Sequence, residues 1–535
     1  MMRNAGARAA VLAAVALLAY AGSVQGGFAY DDPFAIQANP VVTGEASLVE
    51  AFARDYWGRP AERTNGSWRP VALLSLGLDG RVGAGSPLPF HLANVLLHAA
   101  VVAATYLAWR RVAGETAAVA GALLLAVLAA PSEAVQGIVG RADLLATLFG
   151  TIGLAAHRMP GRAAAAFAAG CLALALGSKE SAAAVPLAWV ALDLLAPADS
   201  PPARRAGRWA LYALAIATWA AGRHLALGSF VAVSIDPIGN PLLDAALPGR
   251  VLGAAATLAH PYLTGLVVPT RRLYDCSAAE CGPAGPGDPL AWAGIALVAA
   301  VVAAPFLLRR RAPGAAAAIA WAGMLMLPAS NLLFLGPTVY GERLLYATAP
   351  GICVAAAAGT AALARRLPRP GIAWTGFAVL ALANAAAVQA RHPDWSSSDA
   401  LFEAGVEAAP RSAKAQYNAA WAAFERGDLA LASVRAREAA RLHADYPEAH
   451  ALLGGVLDVT GRTAEADAAF TVALSAARAR GAPPSDLVLH HATFLARHGR
   501  YAEALAGVSA QRAIDPENPR LADLEARVRA RTERR

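Results

Sequence analysis

The chain has 535 residues, of which 57% are hydrophobic and 16% charged, against roughly 25% charge in an average soluble domain. That balance at that length excludes a single soluble core and a disordered chain and leaves a polytopic membrane protein. The net charge of +8 is not a nucleic-acid face: from Arg391 onward basic and acidic residues number 19 each, and the excess (27 against 19) lies in residues 1–390, in short clusters between apolar stretches. Cytoplasmic loops carry charge in this way, and no nucleic-acid partner is expected.

In chain order, apolar stretches of near-spanning length fall at 9–28, 89–109, 115–131, 141–157, 163–177, 180–197, 208–227, 250–269, 289–308, 314–335, 343–363 and 371–390. The basic clusters are Arg3/Arg8, Arg110/Arg111, Arg158/Arg162, Arg204/Arg205/Arg208, Arg309–Arg311 and Arg365/Arg366/Arg369. With the N-terminus inside, all of them lie inside if 250–269 does not cross. That stretch contains Pro261 and ends at Pro269, which suits a re-entrant or interfacial segment. The map therefore predicts eleven spans. The loop 29–88, the turns 132–140 and 178–180, the stretch 228–288, the turn 336–342 and everything beyond about 391 fall outside, in the periplasm for a bacterial inner membrane. Residues 1–28 read as a signal anchor, with a cleavable leader as the alternative. Residues 89–390 form the multispan domain and 391–412 a linker.

Cys171 and Cys353 lie in apolar runs and read as packing residues. Cys276 and Cys281 are close together in a Gly/Pro-rich segment, where an oxidising compartment permits a local disulfide.

From 413 the chain repeats. Gly427-Asp428-Leu429-Ala430-Leu431-Ala432 returns 34 positions later as Gly461-Arg462-Thr463-Ala464-Glu465-Ala466, and after a further 38 as Gly499-Arg500-Tyr501-Ala502-Glu503-Ala504. A 34-residue helix–turn–helix period is the tetratricopeptide pattern. Repeats fall at about 413–446, 447–480 and 485–518, followed by a capping helix ending in Arg534-Arg535. Such a solenoid offers a face for peptides or proteins, or serves as a structural cap. The fold class is thus all-α, a polytopic helical bundle followed by an α-solenoid.

Ionisable residues beside spans mark functional sites by default, and here they gather on the predicted outer side. Asp31-Asp32 follow the first span, and Trp68-Arg69-Pro70 lies in the same loop. Glu133 precedes Gly140-Arg141-Ala142-Asp143, and Lys179-Glu180 follows Gly177-Ser178. Arg223 ends a span, and Glu342-Arg343 opens another with Tyr346 close behind. Arginine and lysine at an interface suit a lipid-linked phosphate, and a carboxylate beside them suits a general base. The set fits sugar transfer from a polyprenyl phosphate. Structural pairing of Arg69, Arg141 and Arg343 with nearby acids is the alternative. Asp31-Asp32 offer a divalent-ion site as a second use, which is not favoured, and no cofactor is expected.

These residues resemble the TMTC family, the transmembrane and tetratricopeptide-repeat-containing O-mannosyltransferases. The resemblance runs through Phe28-Ala29-Tyr30-Asp31-Asp32, Trp68-Arg69-Pro70, His91-Leu92-Ala93-Asn94-Val95-Leu96-Leu97-His98, Glu133-Ala134-Val135 and Gly140-Arg141-Ala142-Asp143. It continues through Ser178-Lys179-Glu180, Asn240-Pro241-Leu242, Gly341-Glu342-Arg343-Leu344-Leu345-Tyr346 and Trp395 into Arg411-Ser412-Ala413-Lys414. It implies a GT-C glycosyltransferase bundle similar to protein O-mannosyltransferases, with a polyprenyl-phosphate sugar donor and a Ser/Thr acceptor on exported protein held by the repeats. Asp31 is then the catalytic base, with Asp32 orienting donor or acceptor. Arg69, Arg141, Lys179 and Arg343 are candidates for donor contact. Glu133, Asp143, Glu180, Arg223, Glu342, Tyr346 and His91 support them; His91 and His98, seven apart on one helical face, also suit packing.

One departure stands out. The family's His-Pro-x-His element is replaced by Leu128-Ala129-Ala130-Pro131-Ser132, which bears on the choice of sugar and acceptor. Two other readings remain: transfer to a lipid or surface glycan, and a non-enzymatic membrane-anchored repeat scaffold.

Overall fold

A computed structural model describes residues 2–196, 202–230, 235–269, 274–481 and 483–533. The side chains of Arg3, Arg204 and Arg205, parts of the 228–288 stretch, and the terminal pair Arg534-Arg535 lie outside the described residues. Among the described residues the regular structure is entirely helical. Contacts divide the chain into two compact units, Met1–Asp275 with Cys281–Leu401, and Cys276–Glu280 with Phe402–Arg535.

The first unit carries α1 (Met2–Tyr20), α2 (Pro70–Gly83), α3 (Leu88–Trp109), α4 (Glu115–Val127), α5 (Arg141–His157), α6 (Arg162–Ser178), α7 (Val185–Leu195) and α8 (Pro202–Leu227). It continues with α9 (Leu247–Thr257), α10 (Pro289–Leu308), α11 (Pro313–Met326), α12 (Ala349–Ala364) and α13 (Gly371–Arg391). Five helical stretches are long and apolar enough to cross a membrane: Asn4–Gln25, Leu88–Trp109, Ile138–His157, Pro289–Leu308 and Gly371–Trp395. Four shorter apolar ones follow the same composition, and the chain reads as a multi-pass membrane protein.

The eleven predicted spans are not eleven long helices, and the reason is local. The 115–131 stretch is helical only to Val127, because Leu128 turns extended. The 180–197 stretch opens as a 3-10 turn over Glu180–Ala184 before α7 begins. A 13-residue helix rises about 20 Å, short of a hydrocarbon core of about 30 Å. The 250–269 stretch is broken, as its proline predicts: α9 ends at Thr257 and the backbone leaves helical geometry at His260.

Small residues let these helices touch. A Cβ on Gly121 of α4 would come within 2.8 Å of the Val354 backbone of α12, and one on Gly294 of α10 would fall on the Ala255 carbonyl of α9. Without a hydrophobic drive between helices in lipid, such close approach supplies the packing. The aromatic pair Trp109–Trp321 anchors the core at 5.9 Å, edge to face. Cys171 and Cys353 are free and buried, and Cys276 and Cys281 are disulfide-bonded.

The predicted linker 391–412 is mostly helical: a 3-10 turn over Pro393–Trp395 leads to α14 (Ser398–Ala408). The second unit is built from α15 (Ala413–Glu425) and α16 (Leu429–Leu442), α17 (Pro447–Val459) and α18 (Thr463–Ala479), α19 (Ser485–Arg497) and α20 (Tyr501–Ile514), then α21 (Pro519–Glu533). Each pair turns through a glycine at positive φ: Gly427 (+79°), Gly461 (+76°) and Gly499 (+79°). The repeat alanines Ala432, Ala466 and Ala504 are wholly buried, where a larger side chain would hold the helices apart.

Candidate functional site

The site is built on backbone that is not helical. Between α4 and α5, residues 128–140 cross the interior of the first unit with only one turn of α-helix and one of 3-10 helix, and all are buried. Buried backbone groups must be paired, and side chains from three helices do this. Tyr20 of α1 donates to the Leu128 carbonyl at 2.9 Å. Asn384 of α13 accepts from the Ala129 N–H at 3.0 Å. Asn94 of α3 donates to the Gly137 carbonyl at 3.0 Å, with those of Val135 and Ile138 within 3.5 Å.

Arg141 stands behind Asn94. It is fully buried, and its guanidinium donates to Asn94 Oδ1, Ser75 Oγ, Asp79 Oδ2 and the Phe90 carbonyl. These bonds commit Arg141 to the scaffold and leave it no role at an open site, unlike the donor contact expected from its sequence position.

Glu133, Gly137, Val139 and Gly140 of this segment line a small cavity with Tyr30, Asp31, Asp32, Arg343 and Trp395. Its volume is about 10 Å³, enough for one water. The Arg343 Nη1 lies between two acids, 3.0 Å from Glu133 Oε1 and 3.2 Å from Asp31 Oδ2. Glu133 Oε2 also accepts the Arg343 backbone N–H at 2.8 Å, so one carboxylate fixes both ends of that residue. Burial pushes the Glu133 carboxyl up, and Arg343 opposes the shift. The Asp31 side chain is 24% exposed and open to an incoming group.

Asp32 differs. It is buried, its Oδ2 accepts the Ala29 N–H at 2.9 Å, and burial pushes its carboxyl up to about 8. It holds the loop that presents Asp31. Tyr30, between them, has φ +60°, a conformation costly for a bulky residue. Its hydroxyl donates to Asp275 at 3.2 Å, its N–H to Ser398 Oγ at 3.1 Å, and its ring meets Tyr274 edge-on at 5.4 Å. His91 secures the approach to this loop, donating from Nε2 to the Gly27 carbonyl at 3.0 Å.

A second cluster is basic. Arg69 Nε donates to Glu180 Oε2 at 2.9 Å, and Arg223 Nη1 lies 3.8 Å from Glu180 Oε1. Lys179 Nζ donates to Asp143 at 2.6 Å, with burial pushing its ammonium down. Tyr56 joins the clusters: Arg69 lies over its ring at 5.0 Å, and its hydroxyl donates to the Val139 carbonyl of the cavity wall at 3.1 Å. Nothing in the sequence singled out Tyr56 or Asp275. An aromatic in a polar outer loop is the only hint, and their partners are remote in the chain.

Glu342 and Tyr346 face away from the Asp31 cavity. Glu342 pairs with Arg391 at 2.6 Å, and the Tyr346 hydroxyl bonds His98 Nδ1 at 2.6 Å. His98 is thus a packing residue with one bond. Asp31 and Asp32 do not make a cation site, since a guanidinium occupies one carboxylate and a backbone N–H the other. Among the described residues no three His, Cys, Asp or Glu side chains converge as ligands.

No protein-family model matches the chain. A protein O-mannosyl-transferase of Caenorhabditis elegans is 24% identical over 417 residues, 76% of this chain and 59% of that protein. The protein O-mannosyl-transferase Tmtc3 of Drosophila melanogaster is 26% identical over 539 residues, covering 85% and 57%. Drosophila Tmtc1 reaches 41% over 134 residues, 24% of this chain and 16% of that protein. The chain thus spans less than three fifths of the length of these relatives. Among solved structures, ArnT from Cupriavidus metallidurans bound to undecaprenyl phosphate aligns with 86% of this chain and 79% of its own, at 15% identity and a TM-score of 0.38. Over most of its length the chain is similar in sequence to the TMTC O-mannosyltransferases.

Proposed function

We propose that the chain is a membrane glycosyltransferase of GT-C type. It moves a hexose, mannose in the first instance, from a polyprenyl phosphate to Ser/Thr hydroxyls of exported proteins on the outer side of a bacterial inner membrane. The observation that carries this is the Glu133–Arg343–Asp31 arrangement: a part-exposed carboxylate held by a guanidinium that a buried acid fixes in place. The names of the relatives, protein O-mannosyl-transferases, supply the sugar and the acceptor class.

In the reaction the acceptor oxygen attacks the anomeric carbon opposite the phosphate. The new C–O bond forms as the bond from that carbon to the phosphate oxygen breaks, with inversion. Asp31 takes the hydroxyl proton, and the polyprenyl phosphate leaves with the bonding pair. Arg343 keeps Asp31 ionised and oriented. Arg69, Lys179 and Arg223 form the cationic side toward which the departing phosphate turns. The repeats of the second unit hold the acceptor polypeptide.

The test is transfer of radiolabelled mannose from polyprenyl-phosphate-mannose in membranes bearing the full chain, beside Asp31→Asn at matched expression. The expected result is label in protease-sensitive, base-releasable material, lost by about 10²- to 10⁴-fold in the variant. Label confined to the lipid fraction would move the acceptor to a glycolipid. Equal transfer by both chains would remove Asp31 as the base.

A further inference from the structure

A cavity of about 510 Å³ opens among the approach to α2, α6 and α8, far larger than the space beside Asp31. Trp68, Val71, Ala173, Trp219 and Ala226 are among its walls, so a chain lying in it would touch almost nothing but hydrocarbon and indole. Glycine keeps it open: a Cβ on Gly222 would come 2.7 Å from the Trp68 ring, and one on Gly177 2.8 Å from a Val71 methyl. Leu225, also at its edge, is 86% exposed, so the mouth opens on the outer face of the bundle, where lipid lies.

One polar element meets this cavity. Arg223 follows Gly222 on α8 and is 4% exposed. Its Nη1 is buried and makes no hydrogen bond, and neither does the Glu180 Oε1 lying 3.8 Å from it. Its Nε is spent on the Phe230 carbonyl at 3.2 Å. A buried guanidinium nitrogen without a hydrogen bond is costly, and an anionic oxygen placed there would satisfy it. An apolar cavity open to lipid, with an unspent buried cation at its edge, is complementary to a long hydrocarbon chain with an anionic head.

We infer that this cavity seats the isoprenoid chain of the donor lipid, with its phosphate turned to Arg223 and Arg69; the inference rests on the polyprenyl-phosphate reading above. The cavity therefore sets chain preference, apart from the sugar chemistry at Asp31.

The test does not need turnover. The full chain in phosphatidylcholine nanodiscs is exposed to a polyprenyl phosphate bearing a benzophenone near its head, irradiated and mapped by peptide. Crosslinks are expected on the Trp68 and Gly222–Ala226 peptides. Undecaprenyl phosphate should compete them away and phosphatidic acid should not. Ala226→Phe, which fills the cavity, should reduce them by about tenfold or more, since excluding even two methylenes is worth that much. Ala173→Leu fills it from α6, should Ala226→Phe fail to accumulate. Crosslinks elsewhere, equal competition by phosphatidic acid, or crosslinking unchanged in a folded filled variant would each overturn the assignment. A chain that crosslinks as expected yet transfers no mannose would keep the cavity and fail the transferase reading alone.

Discussion

Asp31 and Asp32 share a peptide bond but not an environment. Asp31 has a guanidinium beside it and a partly open face, whereas Asp32 is 1% exposed with a backbone amide as its partner. The Asn side chain can still accept from Ala29, so Asp32→Asn should keep transfer within about tenfold of wild type, against the 10²- to 10⁴-fold loss at Asp31→Asn; assays at saturating donor separate the two. The pH dependence of stability follows from the same contrast. The Asp32 carboxyl rises from 3.8 to about 8 in the folded chain. A raised folded value means that its contribution is full below the ordinary carboxylate range and is lost as pH rises toward 8. The stability of wild type relative to Asp32→Asn should therefore fall between pH 5 and 8, by at most about 1.4 kcal/mol per unit, and level off above. Parallel thermal melts of the two proteins across that range check it; curves that keep a constant gap would contradict it. The acids and bases on the outer side were legible in the sequence as a set, because sidedness follows from alternating spans. Their division into working and supporting groups was not. Arg141 carries the same charge as Arg343, and only the folded chain brings Ser75, Asp79 and Asn94 onto it.

At the scale of elements, the site depends on a segment that sequence periodicity cannot describe. Residues 132–140 were expected as an outer turn, where water would satisfy the backbone. They lie buried instead, and Asn94, Asn384 and Tyr20 replace the water. The helices around them were legible because an apolar run needs no partner to be recognised, whereas an irregular wall depends on donors and acceptors from distant helices. Asn94 appeared only as one letter of a resemblance, and here its amide carries the Gly137 carbonyl while its oxygen receives Arg141. Asn94→Leu matches it roughly in size but strands both sides. Each stranded buried group costs about 1–3 kcal/mol, so the melting temperature should drop and transfer should fall with it, although residue 94 does not line the Asp31 cavity. Asn94→Leu with wild-type melting and wild-type transfer would show that the wall does not need this support.

For the whole molecule, the open question is sidedness, because the mechanism places Asp31 and the repeats where exported acceptors arrive. The charge clusters argue for it. Arg309–Arg311 follow α10 and Arg365/Arg366/Arg369 follow α12, and positive loops stay on the cytoplasmic side. Parity then depends on the segment between α8 and α10, which breaks at His260 instead of continuing as one helix. The chain is well suited to a direct measurement. Cys171 and Cys353 are buried, and Cys276 and Cys281 are disulfide-bonded, so a cysteine introduced at an exposed position should be the reactive one. Ser475 and Arg310 are both exposed. An impermeant maleimide added to intact spheroplasts should label Ser475→Cys at once and Arg310→Cys only after lysis. The reverse pattern would put the repeats in the cytoplasm and exclude an exported acceptor. Labelling of both in intact cells would mean that the 250–269 segment does cross, shifting every later loop except those the repeats themselves hold outside. Only the first pattern leaves Asp31, the basic cluster around Glu180 and the acceptor-binding repeats on one side of the membrane, which transfer to an exported hydroxyl requires.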